Sequence, residues 1–408
     1  MKTCRSITSF ATTAAIAFGV LTAAVSSNAC AQACPGDING DGQVDGADLG
    51  ALLSTWGICP VFAPTISSVN PNYGPQAGGT VFVINGTNLT GATSVTVAGV
   101  AATIIAAYPT MIAATAPVSA TVGAKDVVVT TPGGTATAVN AFTYNLTLSW
   151  AIVLEFLPDP AVVTNATMRN AIAATGLAWR VRDTATEVEM VLVPPGTFTM
   201  GCTAQIPDAC SSNESPTHLV TFTQAFYMGR YEVTQSQWTA TMGNNPSYFA
   251  GQSDSAVRPV ERVSWFTIQG YLSTTGMRLP SEAEWEYACR AGTTSAFNNG
   301  SSNAATVGTI AWFTQNSASR THRVGGKAAN ALGLYDMSGN VDEWVNDWYG
   351  EYSSAAQTNP LGPVSGKFRV LRGGSWYNYT HDVRSSVRGG NTPGFADGRV
   401  GFRVARNP

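Results

Sequence analysis

The reading of this chain turns on GLYDMSGNVDEWVNDW, Gly333 to Trp348, on LRGGSW, Leu371 to Trp376, and on GFRVAR, Gly401 to Arg406. Glycine stands beside tryptophan or arginine again and again in these pieces. Glycine allows turns that other residues cannot take. Tryptophan buries a large area and needs a partner for its N–H. Arginine forks onto carboxylates and carbonyls. The expectation is a loop-rich domain held by polar contacts directed at the backbone, with little regular structure.

The full chain has 408 residues, enough for more than one domain. Only 12% are charged and the net charge is −3, so neither a nucleic-acid surface nor a polybasic lipid patch is expected. Residues 1–31 read as a secretory signal: Lys2 and Arg5, an apolar run from Ile7 to Val25, and small residues for cleavage after Ala31 or Ala33. A retained anchor is the alternative, and no later segment has the length and apolarity of a span. The expected location is secreted, periplasmic or at the cell surface. In an oxidising compartment Cys34 with Cys59, and Cys202 with Cys210, are the simple disulfides. Cys289 remains, within a helical pattern that favours a buried inert thiol.

Residues 34–60 carry DINGDGQVDGAD, which sets Asp37, Asn39, Asp41, Gln43, Asp45 and Asp48 at loop positions 1, 3, 5, 7, 9 and 12. Gly42 falls where such a loop turns sharply, and hard oxygen donors at this alternation suit calcium. A helix is expected from Leu49 to Trp56. Residues 64–144 alternate β-branched residues with Gly, Asn and Pro turns, as in TVFVING and KDVVVTTPGG, which predicts an all-β sandwich. Residues 145–183 read as a linker with one helix, Asn165 to Ala174. Residues 184–408 form the large domain, with helices expected over Phe266 to Leu272 and after the cap signal Ser281.

GLYDMSGNVDEW, RGGSW and GFRVAR resemble signatures of the formylglycine-generating enzyme family, the sulfatase-modifying factors. MVLVPPGTFTMG (Met190 to Gly201), FYMGRYEVTQSQW (Phe226 to Trp238) and RLPSEAEWEYACRAGT (Arg278 to Thr293) follow the same family order. The resemblance implies an α+β, loop-rich, C-type-lectin-like fold. In the same way residues 64–144 resemble an IPT/TIG domain of immunoglobulin-like fold. Residues 34–60 resemble half of a dockerin, an EF-hand-like loop whose family docks cohesin-type partners.

The family resemblance also implies a chemistry. Its enzymes use oxygen, copper and two cysteines to oxidise a sulfatase cysteine to formylglycine. The first cysteine lies three positions after the serine of the GGS turn and the second five further on. Here that serine is Ser375, and the two positions hold Asn378 and Val383. An amide and a hydrocarbon are poor substitutes for thiolate ligands of Cu(I), so copper is not expected. Ser375, Asn378, His381 and Val383 mark the family's active-site region, and Tyr377, Asn378, Tyr379, His381 and Asp382 are expected to form an exposed surface there with groups suited to sugar or peptide recognition. The resemblance further implies structural calcium at Asn340, the Val341 carbonyl and Glu343. Asp342 stands where the family has an aromatic residue. Ser375, His381 and Asp382 form no triad by sequence proximity alone. Glu282, Glu284 and Glu286 are expected to bind arginines such as Arg278 or Arg290. His218, His322 and His381 lack metal-ligand spacing. Two functions follow: a cysteine-less relative that binds extracellular peptide, protein or glycan, or an active oxidoreductase of the family with altered chemistry.

Overall fold

Asp45 caps the first described helix. Its Oδ1 accepts from Ala47 N at 2.7 Å, while Asp48 Oδ2 accepts from Asp45 N at 2.7 Å. This reciprocal cap starts the helix at Gly46 rather than at Leu49, and the helix runs Gly46–Ser54. The computed structural model describes residues 44–54, 61–145, 148–203 and 210–408. The signal segment 1–31, Cys34, Cys59, Asp37, Asn39, Asp41 and Gln43 therefore lie outside the described residues. The chain divides into two compact units, Met1–Val61 and Phe62–Pro408.

Within the second unit, residues 64–144 build two facing sheets. One holds Thr65–Asn70, Val81–Thr87, Met111–Thr115 and Thr103–Tyr108 in that spatial order. The other holds Tyr73–Pro75, Gly134–Asn145, Gly123–Thr131, Ser94–Val97 and Val100–Ala101. Alternating residues such as Phe82, Ile84, Val127, Val129 and Phe142 point inward and are fully buried. This is the sandwich that the alternation predicts, of the immunoglobulin-like kind that the IPT/TIG resemblance implies.

The expected linker is part of the large domain. Ala151–Glu155 and Arg180–Asp183 extend a five-stranded sheet that continues through Glu189–Val193, Phe226–Gly229 and the C-terminal Ala405–Arg406. Phe156, Val163, Ile172 and Trp179 from this segment join the main core. The physical reason is that its apolar residues cover one side of a sheet that would otherwise face water. The helix expected there is present as Ala166–Ala174, capped by the Asn165 side chain.

Three further helices, Gln235–Met242, Trp265–Thr275 and Glu282–Arg290, each start from a capping box at Thr234, Ser264 and Ser281. Trp265–Thr275 covers the run expected over Phe266 to Leu272. A four-stranded sheet, ordered Arg388–Asn391, Arg369–Arg372, Asp342–Trp348 and Val400–Phe402, brings the three opening motifs side by side. Gly196–Met200, His218–Phe222 and Gln357–Thr358 form a third, smaller sheet.

Carboxylates and arginines fill this core in pairs. Arg403 grips both oxygens of Glu343 at 2.6 Å, and Trp285 Nε1 donates to Glu343 Oε2 at 2.7 Å. Arg372 reaches Glu286 at 2.6 Å, and Arg290 binds the other oxygen of Glu286 at 2.8 Å. Arg388 clasps Glu282 at 2.7 and 2.6 Å, and Arg384 clasps Glu214 at 2.8 Å through both terminal nitrogens. The glutamates of RLPSEAEWEY thus meet arginines as expected, Glu284 pairing with Arg278. Replacing Arg403 by methionine is expected to strand the Glu343 carboxylate in the core. The unfolding free energy in urea should drop by about 3–5 kcal/mol. A loss below 1 kcal/mol, measured by the shift in midpoint at unchanged slope, would contradict the assignment.

Candidate functional site

The GGS turn is shaped by Gly373 and Gly374, whose φ angles are 93° and 69°. A side chain on Gly374 would meet Val383 Cγ1 and Asp382 O at 2.9 Å, so this turn closes only with glycine. Ser375 follows and is fully buried. Its N–H and hydroxyl both donate to Asn378 Oδ1, at 3.1 and 2.6 Å. Asn378 Nδ2 leans on Asp382 Oδ2 at 3.5 Å, and Tyr379 N donates to the same oxygen at 3.2 Å. Val383 ends a short 3-10 turn, Thr380–Val383, and is fully buried beside Cys202, Ala296, Phe297, Val307 and Phe313.

The two positions where the family keeps its cysteines therefore do structural work. Asn378 was expected on an exposed recognition surface; its side chain instead turns inward and fastens the Ser375 turn. Val383 packs in an apolar cluster. Thiolate-held copper does not fit this donor set, because the amide oxygen is engaged and valine has no donor atom. Ser375 is no nucleophile in a triad, since its hydroxyl donates to Asn378 while His381 stands in solvent. The His381 side chain is 69% exposed and lies 3.3 Å from Asp382. The free thiol of Cys289 is buried, and burial pushes it up to about 11. Cys202 and Cys210 are bonded to each other.

Of the calcium donors expected around Asn340, the Asn340 side chain and the Glu343 carboxylate are engaged by protein groups. Asn340 Nδ2 donates to Glu232 Oε2 at 2.6 Å, and its Oδ1 accepts from His322 N at 2.9 Å. Val341 N donates to Glu232 Oε1 at 3.1 Å, and both oxygens of Glu343 belong to Arg403 and Trp285. The Glu343 carboxylate is held in a buried ion pair with Arg403 at 2.6 Å. The three histidines lie apart. His218 abuts Tyr352, His322 stacks on Trp312 at 3.8 Å, and His381 stacks with Tyr379. Among the described residues no group of three or more His, Cys, Asp or Glu is placed to hold a metal.

What remains outward is aromatic. Tyr377 is 56% exposed, Tyr379 58% and Tyr248 69%. Tyr248 joins this surface through Phe249 and Trp376, edge-to-face contacts of 5.0, 5.6 and 5.6 Å that end at Tyr377. Arg399 lies over Tyr377 at 5.1 Å and Arg262 over Tyr248 at 6.0 Å. Asp342 sits behind the turn, within reach of Ser375 and the Gly374 N–H, and burial pushes its carboxyl up to about 7. The sequence showed Asp342 as an odd residue but not its place against Ser375. Tyr248 carried no signal at all: it lies 129 positions before Tyr377, and only the fold joins them.

Glu261 is fully buried beneath Tyr248 and accepts from Tyr248 N and Phe249 N at 2.8 and 2.9 Å. Burial pushes its carboxyl up to about 7. The folded state thus holds its proton at a pH where the unfolded chain has released it. Stability from this group is present below about pH 4.5, declines as pH rises, and is lost above about pH 7. Glu261→Gln should flatten the fall in unfolding free energy between pH 5 and 7.5, as read by denaturant titration at each pH. An unchanged slope would count against this group.

With this geometry in place, the profile of the Sulfatase-modifying factor enzyme 1-like domain family matches residues 177–408, and that of the IPT/TIG domain matches residues 64–144. The Mus musculus formylglycine-generating enzyme is 30% identical over 53% of this chain and 74% of its own. A serine/threonine-protein kinase pkn1 of Chlamydia pneumoniae is 33% identical over 54% of this chain, which spans only 38% of that relative's length. Among solved structures, Treponema denticola variable protein 1 is similar with a TM-score of 0.50 and 29% identity, over 55% of this chain and 98% of its own.

Proposed function

The chain belongs to the Sulfatase-modifying factor enzyme 1-like domain family, and from that premise we propose that it is an exported modular member that binds an extracellular peptide, protein or glycan without performing the family's thiolate oxidation. The observation that carries the reading is the state of Asn378 and Val383. One holds the Ser375 turn through two hydrogen bonds and the other fills an apolar cluster. The surface above them presents Tyr377, Tyr379, His381 and Tyr248. Rigid aromatic rings with polar tips lose little conformational freedom on binding and suit stacking on sugars or peptides. Export is supported by the N-terminal Lys2, Arg5 and the apolar run to Val25. No helix of the described residues is long and apolar enough to cross a membrane.

The full chain, offered a CxPxR-type peptide with copper and oxygen, should leave the peptide mass unchanged. Aldehyde formation would establish the alternative, an oxidoreductase of altered chemistry. On glycan and peptide arrays, Tyr377→Ala and Tyr379→Ala should each weaken whatever binding the parent chain shows by about tenfold, as loss of a buried aromatic anchor does. Equal signals from parent and variants would remove this surface from the proposal.

We further propose that Asp37, Asn39, Asp41, Gln43, Asp45 and Asp48 take one calcium ion. The residues are all hard oxygen donors, the set calcium prefers. Calorimetric titration of the full chain with calcium should show one site, and Asp41→Ala should weaken it at least about tenfold. Heat from neither protein would end this reading.

A further inference from the structure

Away from the GGS turn, a cavity of about 350 Å3 opens between the helix Glu282–Arg290 and the loop after Trp348. Its wall includes Asp347, Glu282, Glu351, His218 and Tyr352, and its apolar part includes Met200, Ala283 and the Pro360–Pro363 loop. Two glycines let the chain fold against this wall. A side chain on Gly362 would meet Asp347 Oδ1 at 2.7 Å, and one on Gly350 would meet Pro363 Cγ at 2.6 Å.

Asp347 differs from the arginine-paired acids Glu214, Glu282, Glu286 and Glu343. It is only 4% exposed, yet no arginine or lysine pairs with it among the described residues. Its Oδ2 accepts from Glu282 N at 2.8 Å, while Oδ1, on the side of Gly362, accepts no hydrogen bond among the described residues. Glu282 offers nothing further, since Arg388 and the Tyr352 hydroxyl occupy its oxygens. We propose that this cavity is a binding site for a primary ammonium on a short aliphatic stem, of the lysine side-chain class, with Asp347 Oδ1 as its anion and Glu351 at the mouth. One free oxygen presents a single acceptor. That suits a compact point charge, whereas a guanidinium fork would need two. The methylenes would lie on Met200, Ala283 and Leu361. A cavity of this size is within the usual range for a small ligand.

The electrostatics agree. Burial, then the nearby Glu282 and Glu284 carboxylates, push the Asp347 carboxyl up to about 7, against a lowering pull from Arg388. Arg369 also feels this carboxyl, and His218, Tyr352 and Glu351 face it across the cavity. Arg388 also lines the cavity but is committed to Glu282, so a bound ammonium supplies the direct partner that Asp347 lacks; it should bind the ionised form and release a proton on binding at neutral pH.

Calorimetry or ligand-observed NMR on the full chain, with Nα-acetyl-lysine amide as probe, tests this. Binding should be about tenfold weaker at pH 6 than at pH 8, since one group titrating near 7 must lose its proton. The probe acetylated at its side-chain nitrogen should not bind. Asp347→Asn should weaken binding at least about tenfold and abolish the pH dependence. Glu351→Gln, an exposed change that leaves the fold alone, should weaken it about twofold to threefold. Equal binding of the acetylated probe, absence of binding by the parent chain at pH 8, or a pH slope that survives in Asp347→Asn would overturn the proposal. If Asp347→Asn fails to fold, the parent's pH slope and Glu351→Gln decide: a flat profile with no effect of that variant overturns it equally.

Discussion

Arg372 is enclosed completely, with one guanidinium nitrogen on Glu286 and on the carbonyl of Ser385 and another on the carbonyl of Ser386. A charge so far from water is tolerable only when an opposite charge and enough hydrogen bonds surround it. That requirement fixes three elements at once. The helix Glu282–Arg290 must present Glu286, the strand Arg369–Arg372 must end against it, and the segment after Val383 must turn its carbonyls inward. Arg403 on Glu343, Arg388 on Glu282 and Arg384 on Glu214 impose the same condition elsewhere. Each pair ties residues distant in the chain. A domain with few long helices thereby gains order from pairs that cannot be broken singly without exposing a buried charge.

This frame explains how the GGS turn keeps its shape without sulfur. The turn is held from below by Trp285 against Gly373 and from above by Asn378 on Ser375. Neither contact needs a metal or a thiol. Fold and chemistry are separable here, because the groups that place the turn differ from the groups that would react on it. The surface left over the turn is free to carry tyrosines instead.

The buried carboxylates fall into two kinds. Glu343, Glu282, Glu286 and Glu214 each meet an arginine. Glu261, Asp342 and Asp347 lack that close partner and are pushed up to about 7. Glu261 and Asp342 still collect donors from the protein, whereas Asp347 keeps one oxygen toward a cavity. That contrast, more than its titration, separates a group holding a loop from a group that can meet a ligand.

The sequence alone determined the family resemblance, the sandwich, the cap at Ser281 as a local signal, and the missing cysteines. Each rests on short-range pattern: alternation, a polar cap before an apolar run, or an offset counted from Ser375. Tertiary structure decided what local pattern cannot hold. Residues 145–183 read as a linker because two short strands carry little periodicity, yet they become sheet once a neighbouring strand supplies hydrogen bonds. Asn378 read as exposed because polarity is visible and direction is not. The joining of Tyr248 to Tyr377, and of Asp347 to the Pro360–Pro363 loop, required the chain to close on itself, since burial of charge and apolar area is a property of the whole fold.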